Sequence, residues 1–284
     1  ANLGEVQNRV GLPVPRGFAI TTTAFQDFYE HAGLWAEIKR IKLGIIPDAP
    51  DSLEAASEDI QHAILAAPMP PELEQELNAA HERLAAECGV PPEELRVALR
   101  SSAIGEDGEL SFAGQYLSVL GVTGERLAST YKLVLASLFT PRAMAYRLLK
   151  GIPFEGVSMG VACLELVPSR AAGVMYTTSP TDPLDRRVLI NAVFGLGPYA
   201  VDGTVAPDTY RFSRTAGEPG GVQVDEWVVG VQDRMLAITP AGRVADAPLD
   251  PEAGGRPCLT EDQARELARL GLALEAHYGT PQDV

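Results

Sequence analysis

Val97-Ala-Leu-Arg100-Ser101-Ser102-Ala103, then Glu106-Asp107, then Ser111-Phe-Ala-Gly114-Gln115, is the stretch on which the fold turns. Arg96 to Arg100 reads as a strand of β-branched and apolar residues. A loop rich in Gly and acid follows from Gly105 to Gly114, and Gln115 to Val122 returns as a second strand. A strand, a long loop and a strand make a hairpin whose tip reaches out from the sheet. An arginine at a strand end can fork onto phosphate oxygens. A loop of Gly and Ser with free backbone N–H groups can lie over phosphates without crowding them. A plainer reading has Arg100 paired with Glu106 or Asp107. The two acids are then solvated loop residues and Phe112 anchors the loop.

Upstream, the first 35 residues read as helix, Pro-flanked extended segment and helix. Gly17 to Ile20 is a short strand, and Thr21 to Thr23 offer N-caps for a helix from Ala24. Ser52 to Ala66 and Glu72 to Cys88 are amphipathic helices, separated by Pro68, Pro70 and Pro71. Downstream come helices at Glu125–Leu138 and Pro141–Lys150, with Pro141 in a first turn. After Gly156 the chain turns β-rich, with strands expected at 157–167, 173–177, 188–193, 210–212, 222–231 and 235–239. A last helix is expected from Thr260 to about His277. This order predicts an α+β protein of two lobes, 1–152 and 153–284, with a ligand cleft between them.

The 284 residues suffice for two such cores, and 46% hydrophobic with 21% charged content is ordinary for a folded chain. A net charge of −15 argues against nucleic acid as the partner. From Asp48 to Glu94 there are 12 acidic residues against Arg83 alone, whereas Arg96 to Lys150 is locally basic. No apolar run is long enough for a membrane span. The cysteines Cys88, Cys163 and Cys258 are far apart, which predicts no disulfide framework and a reducing, cytoplasmic setting. The four histidines fall in helical stretches and predict no shared metal site. Tyr146, Tyr176 and Phe194 are expected in the core, and Pro207-Asp208 at a turn.

The quoted run resembles the VRSSAxxED…SFAGQ motif of the nucleotide-binding domain of phosphoenolpyruvate synthase and pyruvate phosphate dikinase. Rifampicin phosphotransferase and glucan water dikinase share that domain. The resemblance runs the length of the chain. Asn2-Leu-Gly-Glu5 is similar to the end of GGKxxxLGE, and Val14-Pro-Arg-Gly-Phe18 to VPxGF. Ala136-Ser-Leu-Phe139, Arg142 and Tyr146-Arg147 are similar to ASLF…R…YR, and Gly173-Val-Met-Tyr176 to GVMF. Gly195-Leu-Gly197 with Pro207-Asp208 is similar to GLGE…PDE, and His277-Tyr-Gly279-Thr-Pro281 to HYGxPxD.

The resemblance implies an ATP-grasp fold that uses ATP and Mg²⁺ to phosphorylate a histidine on a separate carrier domain. A further domain then passes the phosphate to a pyruvate-type acceptor. It implies catalytic roles at Arg100 and Arg147, the latter facing the polyphosphate. It implies nucleotide contacts at Arg100, Ser101, Ser102, Gly114 and Ser118, and from Leu164, Glu165 and Val167 along a strand that meets adenine. It implies no metal ligand in this stretch: the GGK lysine would precede Ala1 and the metal-binding glutamate would follow Val284. The fragment alone is then expected to be inactive. Three positions depart from the pattern. Leu164 replaces a Gln, Asn191 replaces a Glu, and Pro198 replaces the Glu of GLGE; Phe194 for Trp is milder. These leave a second reading open, a degenerate ATP-grasp module that binds or regulates with little catalysis.

Overall fold

The computed structural model describes residues 2–46, 49–103, 116–182, 184–215, 217–218 and 220–284. The chain divides into two compact units. One is Pro15–Leu166; the other joins Ala1–Val14 to Val167–Val284. The division falls at Leu166/Val167 and not at the expected 152/153. The reason is β4, Met159–Glu165, which hydrogen-bonds between β1, Gly17–Ile20, and β2, Val97–Ala103, and so belongs to the first sheet.

In Pro15–Leu166 the sheet order is β1-β4-β2-β3, all antiparallel, with β3 at Ser118–Val122. Successive side chains of a strand point to opposite faces. Phe18, Ile20, Val97, Leu99, Val161 and Cys163 accordingly face a core built with helices. Those helices are α2 (Thr22–His31), α3 (Leu34–Lys42), α4 (Pro50–Ala66), α5 (Pro71–Cys88), α6 (Gly124–Ala136) and α7 (Pro141–Lys150). Thr21 caps α2 through its hydroxyl, as its sequence position predicts. Thr140 caps α7 in the same way, just ahead of Pro141. A single 3-10 turn, Ser137–Phe139, joins α6 to α7. The register of β3 against β2 shifts between Val97 and Leu99, where Gly121 takes φ 72°. This bulge returns Val122 to the core face, and glycine is the residue that adopts such a φ without strain.

The other unit opens with α1, Asn2–Glu5, and a π-helical turn through Val10. Its main sheet runs β5-β6-β7-β8: Ala171–Tyr176, Val188–Phe194, Asp208–Arg214 and Val222–Val228. The helix α9, Glu261–Tyr278, packs Ala264 and Ala268 onto it. Thr260 and Gln263 close a reciprocal capping box at its start. A two-stranded ribbon of β9 (Arg234–Ile238) and β10 (Val244–Pro248) and the short α8 (Pro251–Gly254) complete the unit. The α+β class is as expected.

Pro207-Asp208 is more than the expected turn. The Asp208 carboxylate is fully buried. It accepts from the Gly230 N–H at 2.9 Å, the Cys258 N–H at 2.7 Å and the Tyr210 hydroxyl at 2.9 Å. A buried carboxylate is tolerated when its lone pairs are filled in this way. Phe194 packs beside the second core, half-buried, and Tyr146 and Tyr176 are half-buried as well.

Candidate functional site

Alternation decides which residues of the quoted run share a surface. Arg100 stands opposite Ser118 of β3 on one side and Ala162 of β4 on the other, and Ala162 stands opposite Ala19 of β1. The next row on this face is Ala98, Leu164 and Gly17; beyond Arg100 lie Ser102 and Gly160. The face away from the helical core is therefore paved with Gly17, Ala19, Ala98, Gly160 and Ala162. Arg100 rises from it, with Ser102 and Ser118 beside it. Arg100, Ser102, Ser118, Gly17 and Ala19 are exposed, and Ala162 and Leu164 are half-buried. No hydrogen bond or ion pair among the described residues holds the Arg100 guanidinium. A cation exposed over a floor of small side chains can accept an anionic group that lies close to the backbone.

The remaining expected residues divide. Ser101 has the parity of Leu99 and turns from Arg100 toward the helix-covered face. Glu165 does likewise. Its Oε1 accepts from the Arg16 N–H at 3.1 Å and its Oε2 from the Cys88 thiol at 2.8 Å. Burial and this carboxylate push the Cys88 thiol up to about 11. The Glu165 and Leu166 N–H groups are engaged by the Arg16 and Arg96 carbonyls, at 2.8 Å each. Val167 is exposed and belongs to the other unit, where its carbonyl accepts from Ser169. Leu164 lies on the Arg100 face, with its side chain against Gly17. Gly114, with Glu106, Asp107, Phe112 and Gln115, lies outside the described residues.

Arg147 departs most from expectation. Its side chain is 0% exposed, so it does not present a charge to a ligand-bearing surface. The guanidinium carbon lies 5.2 Å from the Phe139 ring centre and 5.7 Å from that of Phe154. Among the described residues none of its nitrogens has a partner of ordinary hydrogen-bonding distance and angle. Burial lowers its pKa, and the phenol oxygens of Tyr116 and then Tyr29 oppose that shift. Arg142, five residues earlier, is exposed.

In the other unit, Asn191 of β6 stands between Val174 and Thr209, and its Oδ1 accepts from the Thr209 hydroxyl at 3.0 Å. A cavity of about 320 Å³ opens between the loop after β5 and the sheet. Ser179, Thr181, Asp182 and Arg211 are among its lining residues. The sequence offered only Ser/Thr/Asp turn residues as a signal for it. Two arginines on its wall are already paired, Arg187 with Asp185 and Arg211 with Glu226. Among the described residues no group of three or more His, Cys, Asp or Glu is placed to hold a metal ion. None of the described helices is long and apolar enough to cross a membrane.

The family model described as "Pyruvate phosphate dikinase, AMP/ATP-binding domain" matches residues 1–284. The chain is 37% identical to a probable phosphoenolpyruvate synthase of Staphylothermus marinus, over 100% of this chain and 36% of the relative. It is 34% identical to a probable phosphoenolpyruvate synthase of Methanocaldococcus jannaschii, over 100% of this chain and 23% of the relative. It is also 34% identical to the phosphoenolpyruvate synthase of Aeropyrum pernix, over 100% of this chain and 37% of the relative. The chain thus spans well under half the length of these curated relatives.

Proposed function

Because the chain belongs to the pyruvate phosphate dikinase AMP/ATP-binding domain family, we propose that it is the ATP-grasp nucleotide-binding part of a phosphoenolpyruvate synthase-like phosphotransferase. Its polyphosphate lies on the open sheet face around Arg100. The single observation that carries this reading is the exposed Arg100, without a partner among the described residues, over Gly17, Ala19, Gly160 and Ala162. Phosphoryl transfer depends on placing the phosphates and neutralising their charge more than on covalent help from side chains. Arg100 supplies charge and a planar fork, and Ser102 and Ser118 supply hydroxyl donors on the same face. The adenine edge is assigned to the chain from Leu164 through Glu165 to Val167, by backbone. Ser101 contributes by backbone alone, and Arg147 supports the site from within the core.

In this proposal ATP phosphorylates a histidine on a carrier domain of the parent protein, and an acceptor domain takes the phosphate onward. Mg²⁺ enters as the counter-ion of the ATP phosphates. The described residues supply no ligand set for it, so no step is routed through the metal.

The test is calorimetric titration of ATP into the full-length protein. Arg100→Ala is expected to weaken binding by about 1.5–3 kcal/mol, the range for a charge-assisted hydrogen bond. Wild-type affinity in that variant, or no binding by the full-length protein at millimolar ATP, would sink the proposal. The second reading, a binding module without catalysis, has Asn191 in its favour. That side chain offers Thr209 an amide oxygen and brings no charge to the sheet. ATP binding without formation of any acid-labile phosphoprotein would favour it.

A further inference from the structure

We propose that Ser137 is a positioning residue for the Arg100 face, acting through the entry of β3; this rests on the reading of Arg100 given above. The strand β3 has five residues and, among the described strands, lies at the sheet edge and pairs with β2 alone. Its ladder to β2 is interrupted by the bulge between Val97 and Leu99. An edge strand held on one side is free to shift unless something fixes its end. Ser118, its first residue, is the neighbour of Arg100 across the pair.

The residue before it is tied to the helical layer. The Leu117 N–H donates to the Ser137 hydroxyl at 3.1 Å, and that hydroxyl donates to the Val134 carbonyl at 2.6 Å. Ser137 is 6% exposed; its bond to Val134 is buried and its bond to Leu117 partly so. The turn that carries it is braced in its own right. The Phe139 carbonyl accepts from the Ser57 hydroxyl at 2.6 Å and from the Gln61 amide at 3.3 Å, both on α4. The residue at the mouth of β3 is thus held from the Ser137–Phe139 turn. The hydroxyl of Ser137 never reaches the open face.

The experiment compares Ser137→Ala, Ser137→Thr, Arg100→Ala and Ile60→Val in the full-length protein. Ile60 is a fully buried core residue of α4 and serves as a stability control. ATP affinity, thermal midpoint and hydrogen exchange at the Leu117 amide are read for each. Ser137→Ala is expected to weaken ATP binding about 5- to 10-fold, within the range of one net hydrogen bond, and to speed Leu117 exchange. Ser137→Thr keeps the hydroxyl and is expected to restore both, while Ile60→Val lowers the midpoint with ATP affinity unchanged. The proposal is overturned if Ser137→Ala binds ATP as wild type does while Arg100→Ala is impaired. It is also overturned if Ile60→Val loses as much affinity as Ser137→Ala at an equal midpoint, or if Leu117 exchange is unchanged. If Arg100→Ala itself binds normally, the underlying reading of the face is what has failed.

Discussion

Glu165 and Arg147 are the residues where side-chain type and role part company. A carboxylate at the end of β4 suggests a ligand contact, yet both of its oxygens are engaged by Arg16 and Cys88. The thiol is correspondingly quiet. With its pKa pushed to about 11 by burial first and then by Glu165, only about one part in ten thousand is thiolate at neutral pH. Cys88 is therefore expected to react with iodoacetamide far more slowly than a free cysteine at pH 7. Glu165→Gln, which removes the neighbouring charge, is expected to speed that labelling. Mass-spectrometric labelling rates check both, and wild-type labelling at the free-cysteine rate would refute the account. Arg147 could not be placed from sequence, because an arginine five residues from another on one helix has no fixed side until the helix is docked. Arg100 was singled out by its motif, but the structure places it, exposed, in the middle of β2 and not at the strand end that the sequence suggests.

Among the elements, β1 shows how a single missing side chain sets a strand pair. A Cβ on Gly17 would lie 2.3 Å from the Cys163 carbonyl oxygen and 2.8 Å from the Leu164 Cδ2. Gly17→Ala must push β1 off β4, at a cost of about 1–3 kcal/mol typical of overpacking. It is expected to lower the urea midpoint, whereas Gly4→Ala in α1 meets nothing within 4 Å and is expected to cost nothing. Equal midpoints for the two variants would contradict this. Most elements were legible from period and punctuation; Pro141–Lys150 matches the expected helix end to end. The helices α3 and α8 and the strand β10 were not anticipated. The helix α3 has Leu34, Ile38 and Ile41 on one buried face, but its N-cap is Gly33 at φ 64°, with no side chain to announce it. The strand β10 is Val-Ala-Asp-Ala-Pro, a weak strand former that exists by pairing with β9.

On the scale of the whole molecule, each unit has its own core and its own electrostatic locks. In Val167–Val284 the clearest lock joins α9 to the sheet. Arg214 on β7 forks onto both oxygens of Glu275, at 2.7 and 2.9 Å, and also donates to the Thr177 carbonyl at 2.7 Å. The Arg214 hydrogen bonds hold the Glu275 carboxyl below its ordinary value of 4.5. A carboxylate whose folded pKa is depressed adds stability above its unfolded pKa and loses it as pH falls through the folded one. Glu275→Gln is therefore expected to destabilise by about 1.5–3 kcal/mol at neutral pH. Denaturation at about pH 7 and about pH 3 should show the difference closing at the acid end; a difference independent of pH would refute the assignment.

The sequence by itself determined the α+β class, the order of most elements, the family and Arg100 as the residue to watch. Those follow from local periodicity, capping and a motif contained in one hairpin. Tertiary structure alone decided that Glu165 turns from the Arg100 face, that Arg147 is buried against Phe139 and Phe154, and that β4 joins β1 to β2 in the first sheet. Each of those depends on register between strands and on docking of helices far apart in the chain. A one-residue slip in that register would exchange the two faces, and no local stretch of sequence encodes it.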